Sequence, residues 1–299
     1  MTRQTAAVIG LGSMGYGVAS SLLRAGHVVH GFDINADAVA RLQKDGGAPG
    51  TLAEVAGGCD VVISVVINAA QTEAVLFGDG GIVAHLAPGT VVMSCATVAP
   101  DFARSMEARC TDAGLLYIDA PISGGPQRSA RGELSVLASG APEAFAKARP
   151  CLDAMASQVY GLGDSAGPGS AMKAINQMLV GINLAGMAEA LTFGMTQGVT
   201  PEKFAEIIPQ CAGTSWVLEN RVGHVVDGDY SPLSAVDIWP KDLGICLDVA
   251  HSAKFGAPVT AAALQQWLAA QGSGLGREDD AALVKVYARN AGLTLPGAE

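Results

Sequence analysis

Positive charge is scarce in this sequence. Eighteen Lys and Arg stand against 28 Asp and Glu, leaving a net charge of −10. That balance excludes a general nucleic-acid binder, which needs a basic footprint. It leaves an anionic small ligand open, because a few local cations and backbone amides suffice to hold one. Aromatic residues are also sparse, at 5%, and charged residues reach only 15% against 49% hydrophobic. Even so, no run of about eighteen apolar residues passes without a charge, Gly or Pro, so no membrane partner is expected. The opening Met1-Thr2-Arg3-Gln4 leads straight into an apolar run. It has neither the apolar core nor the small-residue cleavage site of a secretory signal, and a cytoplasmic protein is expected.

The six cysteines, Cys59, Cys95, Cys110, Cys151, Cys211 and Cys246, form no C-x-x-C pair, and no His lies at metal spacing from them. Reduced, mostly buried thiols are expected. The five histidines make no H-E-x-x-H motif, so no protein-bound catalytic metal is expected.

The first half alternates strand-like and helix-like segments. Apolar runs at 6–9, 28–32, 60–66, 90–93 and 115–118 read as strands, and 134–138 and 158–160 as later strands of the same sheet. Unbroken Val/Ile runs suit parallel strands covered on both faces. Asn35 is placed to cap a helix reaching Lys44. Residues 161–169, Gly-Leu-Gly-Asp-Ser-Ala-Gly-Pro-Gly, mark a boundary. Beyond it strands fade. A long, nearly uncharged segment at 170–198 reads as a helix apolar on nearly all sides, of the kind that is normally buried, at the centre of the second domain, and further helices start near Pro201, Trp216, Lys241 and Val259. The expected fold class is α/β: a Rossmann-type doubly wound sheet domain over residues 1–164, followed by an all-α domain over 165–299 for substrate binding and oligomerisation.

Chemistry is carried by four segments. Gly10-Leu11-Gly12-Ser13-Met14-Gly15 follows the first strand and opens the first helix. In this dinucleotide fingerprint the first Gly makes the tight turn, the second lets the backbone approach a pyrophosphate, and the third lets helix pack on strand. Asp33 ends the second strand, where a carboxylate holds ribose hydroxyls and repels a 2′-phosphate, so NAD is favoured over NADP. The bland alternative for Asp33 is a cap on the next helix. Ser123, Gly124 and Gly125 follow Asp119-Ala-Pro-Ile at a strand's carboxyl edge; they present a hydroxyl and amides to a carboxylate, or form an ordinary turn. Lys173 is the one charge between Asp164 and Glu189, with Asn176 and Gln177 on its helix face. It reads as a catalytic lysine of depressed pKa held by side-chain amides, or as a lysine snorkelling to the surface. Lys241 follows Trp239-Pro240 and, on that segment alone, reads as an ordinary helix-start lysine; Thr97 falls just after the strand at 90–93, at the same ligand edge.

Together these segments resemble the β-hydroxyacid dehydrogenase family, the group holding the 3-hydroxyisobutyrate and tartronate semialdehyde dehydrogenases. The resemblance covers nearly the whole chain, and the order and spacing of its motifs are more specific than any motif alone. It implies that Lys173 is the catalytic lysine, flanked by Asn176 and Gln177. It implies that Ser123, Gly124 and Gly125 bind the substrate carboxylate, and that Ile67, Asn68, Thr97 and Lys241 touch the cofactor. Several stretches resemble the branch that oxidises four-carbon sugar acids such as L-threonate at carbon 2. They include Val66-Ile67-Asn68-Ala69-Ala70-Gln71, 215–221, 224–230 and 234–239. Two departures stand out. Gln177 replaces the family's second asparagine, and Asn176 replaces that branch's histidine. Arg128 and Arg131 are further candidates for cationic contacts. A homodimer or homotetramer acting on a small hydroxy-carboxylate is implied. Competing readings are a 3-hydroxyisobutyrate dehydrogenase, a semialdehyde reductase, an imine reductase, which usually lacks the lysine, and a catalytically silent dinucleotide-binding protein. Trp216 and Trp239 shape a pocket or pack in the core of the helical domain, and core packing is the preferred reading for each.

Overall fold

The computed structural model describes residues 2–297. Packing divides the chain into two units, residues 1–173 and 174–299.

The first unit holds eight strands: β1 (Thr5–Ile9), β2 (Val28–Phe32), β3 (Val61–Ser64), β4 (Val91–Ser94), β5 (Leu116–Asp119), β6 (Ile122–Ser123), β7 (Leu134–Gly140) and β8 (Ala156–Gly161). They are joined by α1 (Gly15–Arg24), α2 (Ala36–Lys44), α3 (Leu52–Val55), α4 (Ala69–Phe77), α5 (Pro100–Asp112), α6 (Gly125–Arg131) and α7 (Pro142–Met155). The sheet runs β2-β1-β3-β4-β5-β7-β6, with β8 beside β7. Successive strand residues point to opposite faces. Val61 and Ile63 therefore pack with Leu22 of α1 and Leu152 and Met155 of α7, while Val62 packs with Leu76 of α4 and Met106 and Cys110 of α5. Both faces are covered, which is why β3 and β4 read as unbroken apolar runs.

Strands β1 to β5 are parallel, and their order reverses between β1 and β3. In open α/β sheets ligands bind outside the carboxyl ends at such a switch point. The all-parallel expectation fails at the far edge, where β7 is antiparallel to both β5 and β6. The two-residue β6 runs in the same direction as β5, and the chain turns back after it, through α6 into β7. Side-chain alternation is the same in either direction, so the sequence pattern does not carry this reversal.

Helix α8 (Pro168–Thr196) starts in the first unit and continues through the second, which adds α9 (Pro201–Ile207), α10 (Trp216–Asp227), α11 (Ile238–Ser252), α12 (Pro258–Ala270) and α13 (Val284–Ala291). Ser215 caps α10 by accepting from the Leu218 amide at 3.2 Å, and Gly228 ends that helix at φ 65. The core of this unit gathers Leu184, Met187 and Leu191 of α8 around Val222, Leu243 and the stacked Trp239 and Trp267, whose rings lie 5.3 Å apart. Trp216 is not a core residue: it is 57% exposed. Nor is α8 buried on all sides. Its length and mean hydropathy of 1.4 match a membrane span, but its buried side is part of this core while Ile175, Leu179 and Phe193 are exposed. A buried ion pair completes the unit. Arg221 Nε donates to Asp280 Oδ1 at 2.6 Å, and Trp239 Nε1 donates to Asp280 Oδ2 at 3.2 Å.

Candidate active site

The glycine loop does what its spacing requires. Gly10 sits at φ 93, and a Cβ there would lie 2.4 Å from the Val65 carbonyl oxygen. A Cβ on Gly15 would lie 1.8 Å from the Gly10 oxygen, so only glycine lets α1 start this close to β1. Gly12 is different: a Cβ there meets nothing within 4 Å. The space in front of Gly12 is open. Between Gly10 and Gly15, Ser13 and Met14 lead into α1, whose N-terminus has no side-chain cap and no acidic residue in its first turn. Its dipole is left facing outward, which suits an anion. These features fit a dinucleotide pyrophosphate.

Asp33 closes the loop from the end of β2. Its Oδ2 accepts from the Leu11 amide at 2.6 Å and its Oδ1 from the Asn35 amide at 2.8 Å. It does not cap α2; Asn35 does, accepting from the Asp37 amide at 3.0 Å. Beyond β3, Asn68 caps α4 by accepting from the Gln71 amide at 2.8 Å, and the Gln71 side chain takes the Ile67 amide at 2.9 Å, leaving the Ile67 side chain exposed. Thr97 follows β4, half-buried at the same carboxyl edge.

Ser123 ends β6, and the turn after it uses left-handed glycines, Gly124 at φ 131 and Gly125 at φ 74. Lys173 meets this segment. Its side chain is 8% exposed, and its Nζ donates to the Ile122 carbonyl oxygen at 3.0 Å, one residue before Ser123. That burial excludes a lysine snorkelling to the surface. An ammonium taken out of water needs such acceptors. Arg131 instead pairs with Glu133 at 2.7 Å in solvent, and the Arg128 stem lies against Gly124.

One residue with no role in the sequence reading holds this region together. Asp119, 1% exposed at the end of β5, accepts from the Ser170 hydroxyl at 2.7 Å and the Ser170 amide at 2.8 Å, both at the start of α8. Burial pushes its carboxyl upward from the ordinary range, while the hydrogen bonds from Ser170, Gly167 and Ser139 pull the other way.

In the second unit, Asn176, Gln177 and Lys241 are joined through another residue that carried no assignment, Asp242. Asn176 Nδ2 donates to Gln177 Oε1 at 3.0 Å, and Gln177 Nε2 donates to Asp242 Oδ2. Lys241 Nζ lies 2.8 Å from Asp242 Oδ1 in an ion pair, with Asp242 2% exposed. The Gln177 side-chain amide thus donates to a carboxylate on α11.

A glycine loop at a switch point, a carboxylate ending β2 and a buried lysine next to a Ser-Gly-Gly turn define a nicotinamide-dinucleotide-dependent oxidoreductase. The comparisons with known proteins agree. Residues 5–163 match the NAD binding domain of 6-phosphogluconate dehydrogenase, and residues 167–287 match the NAD-binding domain of NADP-dependent 3-hydroxyisobutyrate dehydrogenase. The chain is 48% identical to L-threonate dehydrogenase of Cupriavidus necator over 97% of each chain. It is 42% identical to L-threonate dehydrogenase of Pectobacterium atrosepticum, over 97% of this chain and 95% of that one. The solved structure of 3-hydroxyisobutyrate dehydrogenase from Salmonella typhimurium superposes with a TM-score of 0.89 at 42% identity, over 95% of this chain and 99% of that one. The chain belongs to the 3-hydroxyisobutyrate dehydrogenase-like family of β-hydroxyacid dehydrogenases.

Proposed function

We propose that this chain oxidises a four-carbon sugar acid such as L-threonate, using NAD, with Lys173 as the group that takes the hydroxyl proton. The observation that carries the reading is the 3.0 Å hydrogen bond from Lys173 Nζ to the Ile122 carbonyl, next to Ser123. It holds a buried amine beside the turn suited to a carboxylate. When bound, NAD accepts the two electrons and the hydrogen that leave the hydroxyl-bearing carbon. The chain's own residues do the rest. Ser123 and the Gly124-Gly125 amides orient the carboxylate, so that the hydroxyl faces Lys173. Deprotonated Lys173 takes the O–H proton as the carbon becomes a carbonyl, and returns it in the reverse direction. General acid–base catalysis of this kind contributes about 10²–10⁴-fold; positioning supplies the remainder. Gly10 to Gly15, with Asp33, Ile67, Asn68, Thr97 and Lys241, are assigned to the cofactor, and Asn176 and Gln177 to the surroundings of the lysine.

The choice of substrate is supported by the L-threonate dehydrogenases at 48% and 42% identity. A second reading, 3-hydroxyisobutyrate, is supported by the solved structure at 42%. The choice of NAD over NADP is supported by the Asp33 carboxylate. NADH formation from L-threonate, D-erythronate, 3-hydroxyisobutyrate and D-glycerate, each with NAD and NADP, tests all three. Selective turnover of a four-carbon sugar acid with NAD is the expected result; preference for 3-hydroxyisobutyrate replaces the substrate and keeps the mechanism.

A cytoplasmic homodimer or homotetramer is part of the same proposal. The lack of a disulfide among the six cysteines suits a reducing compartment, and the exposed Ile175, Leu179 and Phe193 of α8 suit a contact with a second copy. A monomer in light scattering would refute the oligomer.

A further inference from the structure

We propose that Asp119 is a positioning residue for Lys173, fixing where the amine sits by clamping the first turn of α8. The proposal rests on the reading of Lys173 as the proton-transfer group.

Four donors converge on this carboxylate. Oδ2 takes the Ser170 amide at 2.8 Å, the Gly167 amide at 3.0 Å and, at 3.5 Å, the Ser139 hydroxyl; Oδ1 takes the Ser170 hydroxyl at 2.7 Å. A carboxylate, with roughly four acceptor positions, meets this demand where a hydroxyl does not. Helix α8 has no acidic residue in its own first turn, so its cap comes from a strand 51 residues earlier. The approach is tight. A Cβ on Gly169 would lie 2.6 Å from the Leu137 oxygen and 2.7 Å from the Asp119 oxygen, and the Gly169 amide donates to Ser139 Oγ at 3.0 Å. Ser139 is the register partner of Asp119 across β5 and β7.

The clamp and the amine belong to one closed ring of chain and hydrogen bonds. From Asp119 the chain runs three residues to Ile122, whose carbonyl holds Lys173 Nζ at 3.0 Å. From Ser170 the helix runs three residues to Lys173, on the same face. A shift of α8 along β5 would break both links and carry the amine away from the turn at Ser123. A misplacement of about 1 Å can cost on the order of 10²-fold in rate.

The test compares Asp119→Ala with Asp119→Asn by steady-state kinetics, NADH-binding fluorescence and thermal melting. An asparagine still offers an oxygen to the two amides and an NH₂ to the Ser170 oxygen. Asp119→Ala is expected to lower kcat by about 10- to 100-fold while the KM for NAD and the NADH Kd stay within about two-fold, and Asp119→Asn to restore kcat to within about three-fold of wild type. If Asp119→Ala does not fold, Ser170→Ala carries the test, with an expected drop in kcat of about three-fold. Lower melting with kcat per folded enzyme unchanged would overturn the proposal, leaving Asp119 a purely structural cap. Lys173→Ala, measured alongside, separates the two readings. An inactive Lys173→Ala with a fully active Asp119→Ala sinks only the clamp, whereas an active Lys173→Ala sinks the reading beneath it.

Discussion

The Leu11 amide donates to Asp33 Oδ2 at 2.6 Å. The carboxylate assigned to the ribose therefore also holds the glycine loop in place, and the two roles are separable by experiment. Asp33→Asn keeps an acceptor for Leu11 and removes the charge. The ratio of kcat/KM with NAD to that with NADP should fall by about ten-fold, equivalent to ~1.4 kcal/mol, with melting nearly unchanged. An unchanged ratio would remove Asp33 from cofactor discrimination.

Gly12 and Gly15 should separate binding from folding. Alanine at Gly12 meets nothing within 4 Å, so stability should change by no more than about 0.5 kcal/mol, yet the new methyl enters the space assigned to the pyrophosphate. The Kd for NADH should rise at least about ten-fold. Alanine at Gly15 meets the Gly10 oxygen at 1.8 Å and should cost about 1–3 kcal/mol in urea unfolding. Equal effects on binding and stability at the two positions would contradict the assignment.

Asp280 sets a pH dependence in the helical unit. Burial pushes its carboxyl up to about 6; Asp279 adds to the rise and Arg221 opposes it. The folded protein thus binds this proton more tightly than the unfolded chain. The group's contribution to stability is full below about pH 4 and lost as pH rises through about 6. Between pH 4 and pH 7.5, the stability of wild type relative to Asp280→Asn should fall by on the order of 2 kcal/mol. A difference independent of pH would contradict the raised pKa of Asp280 in the folded protein.

Five of the six cysteines are buried and Cys211 is exposed, and none of them forms a disulfide. Burial pushes Cys59 up to about 11 and Cys95, Cys110 and Cys151 to about 12. A thiol reagent should modify one cysteine rapidly in the native protein and all six in denaturant. Rapid reaction of several native thiols would contradict the burial.

Most of the nucleotide-binding fold was legible because its signals are local. The glycine spacing, the Val/Ile runs of β3 and β4 and the Asn35 cap each lie within a few residues of what they determine. The antiparallel edge was not, since the alternation along β7 is the same whichever way the strand runs. Asp119 and Asp242 were visible as residues but not as parts. Asp119 acts on Ser170, 51 residues away, and Asp242 on Gln177, 65 residues away. Only the folded chain brings those pairs together. Lys173 was legible for the opposite reason: a lone charge in an apolar helix needs partners, and the Ile122 carbonyl, 51 residues away, is one that the sequence did not point to. Trp216 misled because composition gives no sign of which apolar residues remain at the surface.

The central claim is that Lys173 moves the proton, and turnover of Lys173→Ala with NAD and the best hydroxy acid of the panel tests it most directly, with NADH binding measured on the same preparation. The account predicts a loss of kcat of about 10²–10⁴-fold with NADH affinity retained. Turnover within about ten-fold of wild type, by a variant that still binds NADH, would contradict it.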